Sequence, residues 1–165
     1  MNLRLGVPKE PENETRVGIV PSSMKKLLKA GFEVLVEKGA GVSANYSDAE
    51  YEAAGAKIVS RVDALACENI VCINFPGIEG ISENTNLACV ADPFRNPEYV
   101  KQCISSNITL MSMDMIPRRL SRAQSMDVNS SQDNLAGYKA VLLGAANVPK
   151  GCLLYTSDAA DDQLG

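Results

Sequence analysis

The densest gathering of ligand-orienting side chains lies between Ile116 and Ala140, in IPRRLSRAQSMDVNSSQDNLAGYKA. Arg118, Arg119 and Arg122 share this stretch with Gln124, Asp127 and Ser130. The carboxamide of Gln124 offers a donor and an acceptor to another amide, such as a nicotinamide carboxamide. Asp127 can accept from ribose hydroxyls or orient an arginine, and Ser130 can do either. A connector of this length without structure of its own is more often functional than decorative. The plainer role is a solvated loop that caps the following helix through Ser130 and Ser131. A second candidate is Arg16 in NETRV, Asn13 to Val17, a polar loop after the first apolar run. A guanidinium there could clamp a carboxylate or phosphate with paired hydrogen bonds, or bridge Glu10, Glu12 or Glu14 at the surface.

A third motif, GAGVSA from Gly39 to Ala44, imitates the G-x-G-x-x-A of a dinucleotide-binding turn. Its context argues otherwise. In a true fingerprint the helix starts within the glycine turn, so that its amides meet the pyrophosphate. Here Asn45, Ser47 and an S-x-x-E capping box postpone the helix to about residue 48. No acid stands near position 59, where a ribose contact is expected.

Absences narrow the chemistry further. The 165 residues include no histidine, which removes Ser-His and Cys-His nucleophilic arrangements and His-ligated metals. No metal site is expected. Cys67, Cys72, Cys89, Cys103 and Cys152 form no C-x-x-C pair and suit a reducing, cytosolic compartment; Cys72 and Cys89, in apolar runs, read as inert core. Sixteen basic residues against 20 acidic ones provide no positive field for nucleic acid. No apolar stretch is long enough to span a bilayer, and the start of the chain lacks the pattern of a signal peptide. The string CLLYTSDAADD, Cys152 to Asp162, resembles the translation of a sequencing-library adapter, so residues 151–165 are set aside as non-native.

The elements that must hold these groups are legible as alternating patterns. Apolar, β-rich runs occur at 3–7, 32–37, 56–59, 69–75, 86–91 and 108–113. They are nearly continuous rather than alternating, as a parallel sheet covered on both faces requires. Between them, Ser22 or Ser23 can cap a helix that Gly31 stops. Ser47 and Glu50 begin a second, and Asn96-Pro97 a third. A last helix is expected from about Ser131 to Val148, ended by Pro149. The fold class is therefore α/β, a doubly wound, mainly parallel sheet of about six strands with a long C-terminal helix.

GVPKEPENETRVGIVPSSMKKLLKAGFEVLVEKGAG, the RAQSMD loop and SSQDNLAGYKAV together resemble one family over about residues 3–150. It is the N-terminal region shared by alanine dehydrogenase and proton-translocating NAD(P) transhydrogenase. RAQSMD resembles the NAD(H)-binding alpha subunit of the transhydrogenase branch. The resemblance implies a Rossmann-like or flavodoxin-like domain over 1–130, and a crossover helix over 131–150 toward a dinucleotide-binding domain that this chain lacks. It implies an oxidoreductase that transfers hydride between NAD(H) and NADP(H), coupled to proton translocation. NADP(H) would sit on a partner component. A homodimer, membrane-embedded partner components and a cytoplasmic site peripheral to the inner membrane are implied as well.

By matching positions, Gln124, Asp127 and Ser130 contact the nicotinamide of NAD(H), and Tyr138 matches a tyrosine implicated in the same site. PRRLSRAQ is one residue longer than the family pattern, so either Arg118 or Arg119 fills the arginine position. Arg16 is the substrate-pocket candidate. Alanine dehydrogenases also use a lysine in the fourth strand and a histidine after the fifth, where Cys72 and Asp92 stand here. Alanine oxidation, or a non-enzymatic module that merely keeps the fold, is the weaker implication. The chain alone is expected to be inactive and to hold no NAD(H) tightly, with the apolar face of its last helix (Leu135, Val141, Leu142) partly exposed.

Overall fold

The computed structural model of the chain describes residues 3–117 and 119–148. Arg118, Pro149 and the 151–165 tail, which figure in the expectations above, lie outside the described residues. Six strands form one parallel sheet in the order β3-β2-β1-β4-β5-β6. They are β1 (Leu3–Val7), β2 (Phe32–Glu37), β3 (Lys57–Val59), β4 (Asn69–Asn74), β5 (Asn86–Val90) and β6 (Thr109–Ser112). The expectation of a doubly wound α/β sheet of six strands holds.

Burial divides the sheet. β1 and β2 each bury three consecutive residues, Leu5 to Val7 and Val34 to Val36, so both their faces are covered. β4 and β5 instead alternate between buried and half-buried positions. The expectation of two-sided burial thus fails there, for a topological reason. Residues 75–85, which connect β4 to β5, contain no helix, so that crossover supplies no covering layer.

The helices of the sheet region are short. α1 (Met24–Lys29) continues from a 3-10 turn at Pro21–Ser23 and ends before Gly31, whose φ of 90° suits glycine. Ser23 stands at the N-cap of α1 without a capping side-chain bond. α2 (Asp48–Ala53) carries the expected capping box, with Ser47 Oγ accepting from Glu50 N and Glu50 Oε2 accepting from Ser47 N. α3 (Arg61–Leu65), absent from the sequence reading, is capped by Ser60, whose hydroxyl accepts from Asp63 N. α4 (Pro97–Ser105) has Asn96 at its N-cap, but the Asn96 amide donates to the carbonyls of Ala91 and Asp92 rather than capping.

The chain divides into two compact units, one up to Asp127 and one from Val128 onward. The second is described as the single helix α5 (Val128–Asn147), which begins three residues before the expected Ser131. Two apolar clusters fill the first unit. One gathers β1, β2, α1 and α2 around Val7, Met24, Val36 and Tyr51; the other gathers β4, β5 and α4 around Ile70, Leu87, Cys89 and Cys103. Tyr51 is fully buried, and its hydroxyl donates to the Ile19 carbonyl at 2.7 Å, so the polar end is satisfied. Gly6, in β1, lies under α3 so closely that a Cβ there would fall 1.9 Å from the Ala64 carbonyl oxygen.

Candidate functional site

Strand order reverses between β1 and β4, and the loops leaving their carboxyl ends diverge to open a crevice. A cleft of about 310 Å³ lies there, lined by Lys9, Glu10, Arg61, Cys72, Asn74 and Phe75 among others. Its walls follow from the ladder. β1 and β4 pair only at Leu5 with Asn69 and Gly6 with Ile70, so the backbone amides further along β4 need other acceptors. The carboxylate of Glu10, 8% exposed, supplies them. It accepts from Ile73 N, from Asn74 N at 3.0 Å and from Asn74 Nδ2 at 3.1 Å. On the other side Glu37 Oε2 accepts from Lys9 N at 2.7 Å and from Arg61 Nη1 at 3.0 Å, while Arg61 Nη1 also donates to the Lys9 carbonyl. The loop after β1 is therefore anchored to β2, α3 and β4 through two carboxylates.

Arg16 stands in this loop, but its guanidinium is committed. Its Nε donates to Glu14 Oε1 at 2.8 Å and its Nη2 to Glu14 Oε2 at 2.7 Å, while Asn74 Nδ2 reaches Glu14 Oε2 at 3.3 Å. The bridge to Glu14, one of the two roles open from sequence, is the one formed. Hydrogen bonding by Arg16 holds the Glu14 carboxyl well below its ordinary 4.5, at about 2, against the opposing effect of its own burial. A carboxylate depressed in the folded state stabilises above its unfolded value, and that stabilisation is lost as pH falls from about 4.5 toward about 2. Accordingly, wild-type protein should lose urea resistance over this acid window, and Glu14→Gln should flatten the loss. At neutral pH the variant should be less stable by about 1 kcal/mol, because the half-exposed Arg16 is screened by solvent. Urea melts at several pH values measure both effects.

Cys72 and Asp92 stand where the resemblance would place an amine and an imidazole. Cys72 is buried, and hydrogen bonding with Cys89, then burial, push its thiol upward, so it stays protonated. Asp92 follows β5 in a left-handed conformation, φ 43°, with a carboxylate oxygen 3.5 Å from Arg95 Nε. Neither the lysine nor the histidine that the resemblance would place there is present. Among the described residues no group of three His, Cys, Asp or Glu could hold a metal ion.

The Arg-rich loop is not structureless. A 3-10 turn, Met113–Met115, leaves β6, and another, Gln124–Met126, lies near the loop's end. Ala123, 6% exposed, anchors the second turn in the first unit. Gln124 follows it with an exposed side chain, its N–H bonded to the Leu120 carbonyl. The Gln124 carbonyl accepts from Asp127 N at 3.4 Å, which sets the two predicted contacts one turn apart. Asp127 is largely buried, at 9% exposure, whereas Arg119 is exposed. Ser130 lies in the first turn of α5 and Tyr138 in its middle; both are exposed, as are Leu135, Val141 and Leu142. The structure thus brings Gln124 and Asp127 together in the first unit, and Ser130 and Tyr138 onto one helix in the second. Among the described residues no helix is long and apolar enough to cross a membrane.

Two residues of the cleft escaped the sequence reading. Glu10 was visible only as a possible partner of Arg16, and Asn74 not at all, because the backbone amides of Ile73 and Asn74 that Glu10 satisfies are freed by sheet geometry rather than by a local motif. The glycine motif at Gly39 behaves as its context required. Gly39 N donates to Asp48 Oδ1 at 2.8 Å, and α2 begins nine residues after Gly39.

Known proteins are similar to this chain in sequence and fold. The sequence model described as alanine dehydrogenase/PNT, N-terminal domain, matches residues 6–136. The NAD(P) transhydrogenase subunit alpha of Haemophilus influenzae is 37% identical over 145 residues, covering 86% of this chain and 28% of its own length. The crystal structure of transhydrogenase from Sinorhizobium meliloti superposes with a TM-score of 0.84 at 38% identity, over 89% of this chain and 45% of that one. An L-alanine dehydrogenase structure superposes with a TM-score of 0.67 at 30% identity, over 73% of this chain and 34% of that one. The chain spans less than half the length of each of these relatives. With its six-stranded parallel sheet and a family match over most of its residues, the chain belongs to the alanine dehydrogenase/PNT N-terminal domain family.

Proposed function

We propose that the chain is the N-terminal portion of an NAD(P) transhydrogenase alpha subunit, in which residues 116–138 form one side of an NAD(H) site. The rest of that site belongs to a dinucleotide-binding domain following α5, with NADP(H) held on a partner component. The whole protein moves hydride between the two nucleotides, coupled to proton translocation. It works as a homodimer on membrane-embedded components, at the cytoplasmic side of the inner membrane. Residues 1–130 form the family domain and 131–150 the crossover, while 151–165 are foreign to the native protein.

The observation that carries this reading over alanine oxidation is the buried thiol of Cys72, lining the cleft where a lysine would be expected. Oxidising an amino acid to an imine needs a group to take and return a proton, whereas hydride exchange between two nicotinamides needs position alone. The residues present suit that task. Gln124 offers an exposed carboxamide, and Asp127, one turn on, a carboxylate. The bound nucleotide supplies the hydride. Gln124 orients the carboxamide of the ring through its donor and acceptor pair, Asp127 and Ser130 take ribose or arginine partners, and one of Arg118 and Arg119 joins them as a contact of the nicotinamide. Tyr138 matches a tyrosine implicated in the same site.

Assaying the complete gene product tests the function: NADH should reduce NADP+ or a close analogue, and L-alanine should not reduce NAD+. Alanine-dependent reduction would overturn the reading. A separate expectation concerns the 165-residue chain alone. Fluorescence titration should show no saturable NADH binding at micromolar concentrations, because one side of a site cannot recover the entropy lost on association. Micromolar binding would contradict a site shared with a further domain. Reading the source DNA across codon 151 checks the foreign tail, since a native frame should continue into a G-x-G-x-x-G or G-x-G-x-x-A segment.

A further inference from the structure

Two buried thiols lie on the adjacent strands β4 and β5, one of them, Cys72, lining the cleft. β4 and β5 run in register through Val71 with Ala88, and resume at Asn74 with Val90. Three steps along β4 therefore match two along β5, which is a β-bulge, and Cys72 and Cys89 are the first residues of the mismatched segment. Val71 and Ala88, one position before them, are in regular register, where parallel neighbours lie about 4.8 Å apart, inside the Cα separation of about 4.4–6.8 Å that a disulfide tolerates. Both thiols are free and buried in the same apolar cluster. Cys72, 5% exposed, also lines the 310 Å³ cleft, while Cys89 is wholly enclosed.

We propose that Cys72 and Cys89 form a reversible cross-strand disulfide when a peroxide reaches the cleft. Peroxide takes up the Cys72 sulfur's electron pair, giving a sulfenic acid and releasing one water. The Cys89 sulfur then attacks the Cys72 sulfur, its proton leaves with the hydroxyl as a second water, and the disulfide forms. Two thiols are oxidised and one peroxide is reduced to two waters. The bulge makes the pair suitable, because an unpaired residue lets β4 shift toward β5 without breaking an otherwise continuous ladder. Glu10, bonded to the amides of Ile73 and Asn74, ties that shift to the cleft wall. The pair is independent of the hydride-transfer reading, since it rests on the sheet alone.

The reaction is slow by design of its surroundings. The neighbouring Cys89 thiol and burial keep Cys72 protonated, so hydrogen peroxide at millimolar concentration and hours of exposure are the appropriate probe. The test uses the whole chain with Cys152→Ser, treated with peroxide, unfolded in alkylating agent and digested after glutamate. That cleavage separates Cys72 in 69–79 from Cys89 in 84–98, and both from Cys67 and Cys103. The expected result is a linked 69–79/84–98 pair, lighter by two hydrogens and released by dithiothreitol, with Cys67 alkylated as in the untreated sample. Cys103 shares the cluster with Cys89 and is the competitor. Linkage of Cys89 to Cys103, sulfinic acid at Cys72 without linkage, or full alkylation of both residues would overturn the proposal. Cys89→Ala should leave Cys72 as sulfenic acid that dimedone traps; no trapping in that variant would show that peroxide does not reach Cys72, which also overturns it.

Discussion

Replacing Gln124 by alanine in the complete protein should lower NADH-driven hydride transfer by about 10–100-fold, the equivalent of one or two orienting hydrogen bonds lost where position decides the rate. Gln124 is exposed, and its side chain sits on a 3-10 turn held by backbone bonds from Leu120 through Asp127, so truncation removes the amide without disturbing the turn. The loss should therefore appear in kcat more than in KM, with folding unchanged. Gln124→Glu keeps the length but replaces the donor with charge, and should be as damaging as alanine. Lys25→Ala, on an exposed position of α1, should leave the rate within about twofold, as surface changes away from a site do. Steady-state kinetics on the three variants check this directly. An unchanged kcat in Gln124→Ala would remove the loop from the chemistry.

The largest structural effect is expected at Gly6. Adding a single methyl there sets it 1.9 Å from the Ala64 carbonyl oxygen and 2.9 Å from the Ala64 carbonyl carbon, distances that only a backbone displacement can relieve. Gly6 pairs with Leu35 on one side and Ile70 on the other, so β1 cannot retreat without straining two ladders at once. α3 must move instead, and it carries Arg61, whose guanidinium holds the loop after β1 through Glu37 and the Lys9 carbonyl. Overpacking of this kind costs about 3 kcal/mol or more when backbone must shift. Gly6→Ala should then lower the melting temperature by about 10 °C or more, measured by calorimetry. A melting temperature within a degree or two of wild type would mean that α3 does not approach β1 so closely.

Strands were legible in the sequence wherever burial demanded runs of apolar residues, and FEVLVE of β2 shows the pattern in its plainest form. Helix α2 was legible because Ser47 and Glu50 satisfy orphan amides through side chains three positions apart. Helix α3 was not: at five residues it is too short to show a period, and its only mark is Ser60 three positions before Asp63. The start of α5 came three residues early because Val128 follows Asp127, a residue type that favours the position before a helix. Arg16 was legible as a charged group in the loop after β1 with Glu14 as a possible partner, but not the reach of Asn74 from β4 to the same Glu14 carboxylate. That is a contact between residues 60 positions apart, which no local pattern encodes. The buried carboxylate of Glu10 was hidden for the same reason, since the bulge at Cys72 and Ile73 exists only once β4 and β5 are paired.

The proposed function requires residues 116–138 to face the reacting nicotinamide. A crystal structure of the complete protein with NADH bound tests it most directly. The Gln124 carboxamide should lie within hydrogen-bonding distance, about 3 Å, of the nicotinamide carboxamide, with Asp127 beside the ring or its ribose. A nicotinamide seated elsewhere, with Gln124 and Asp127 facing solvent or another part of the protein, would contradict the account.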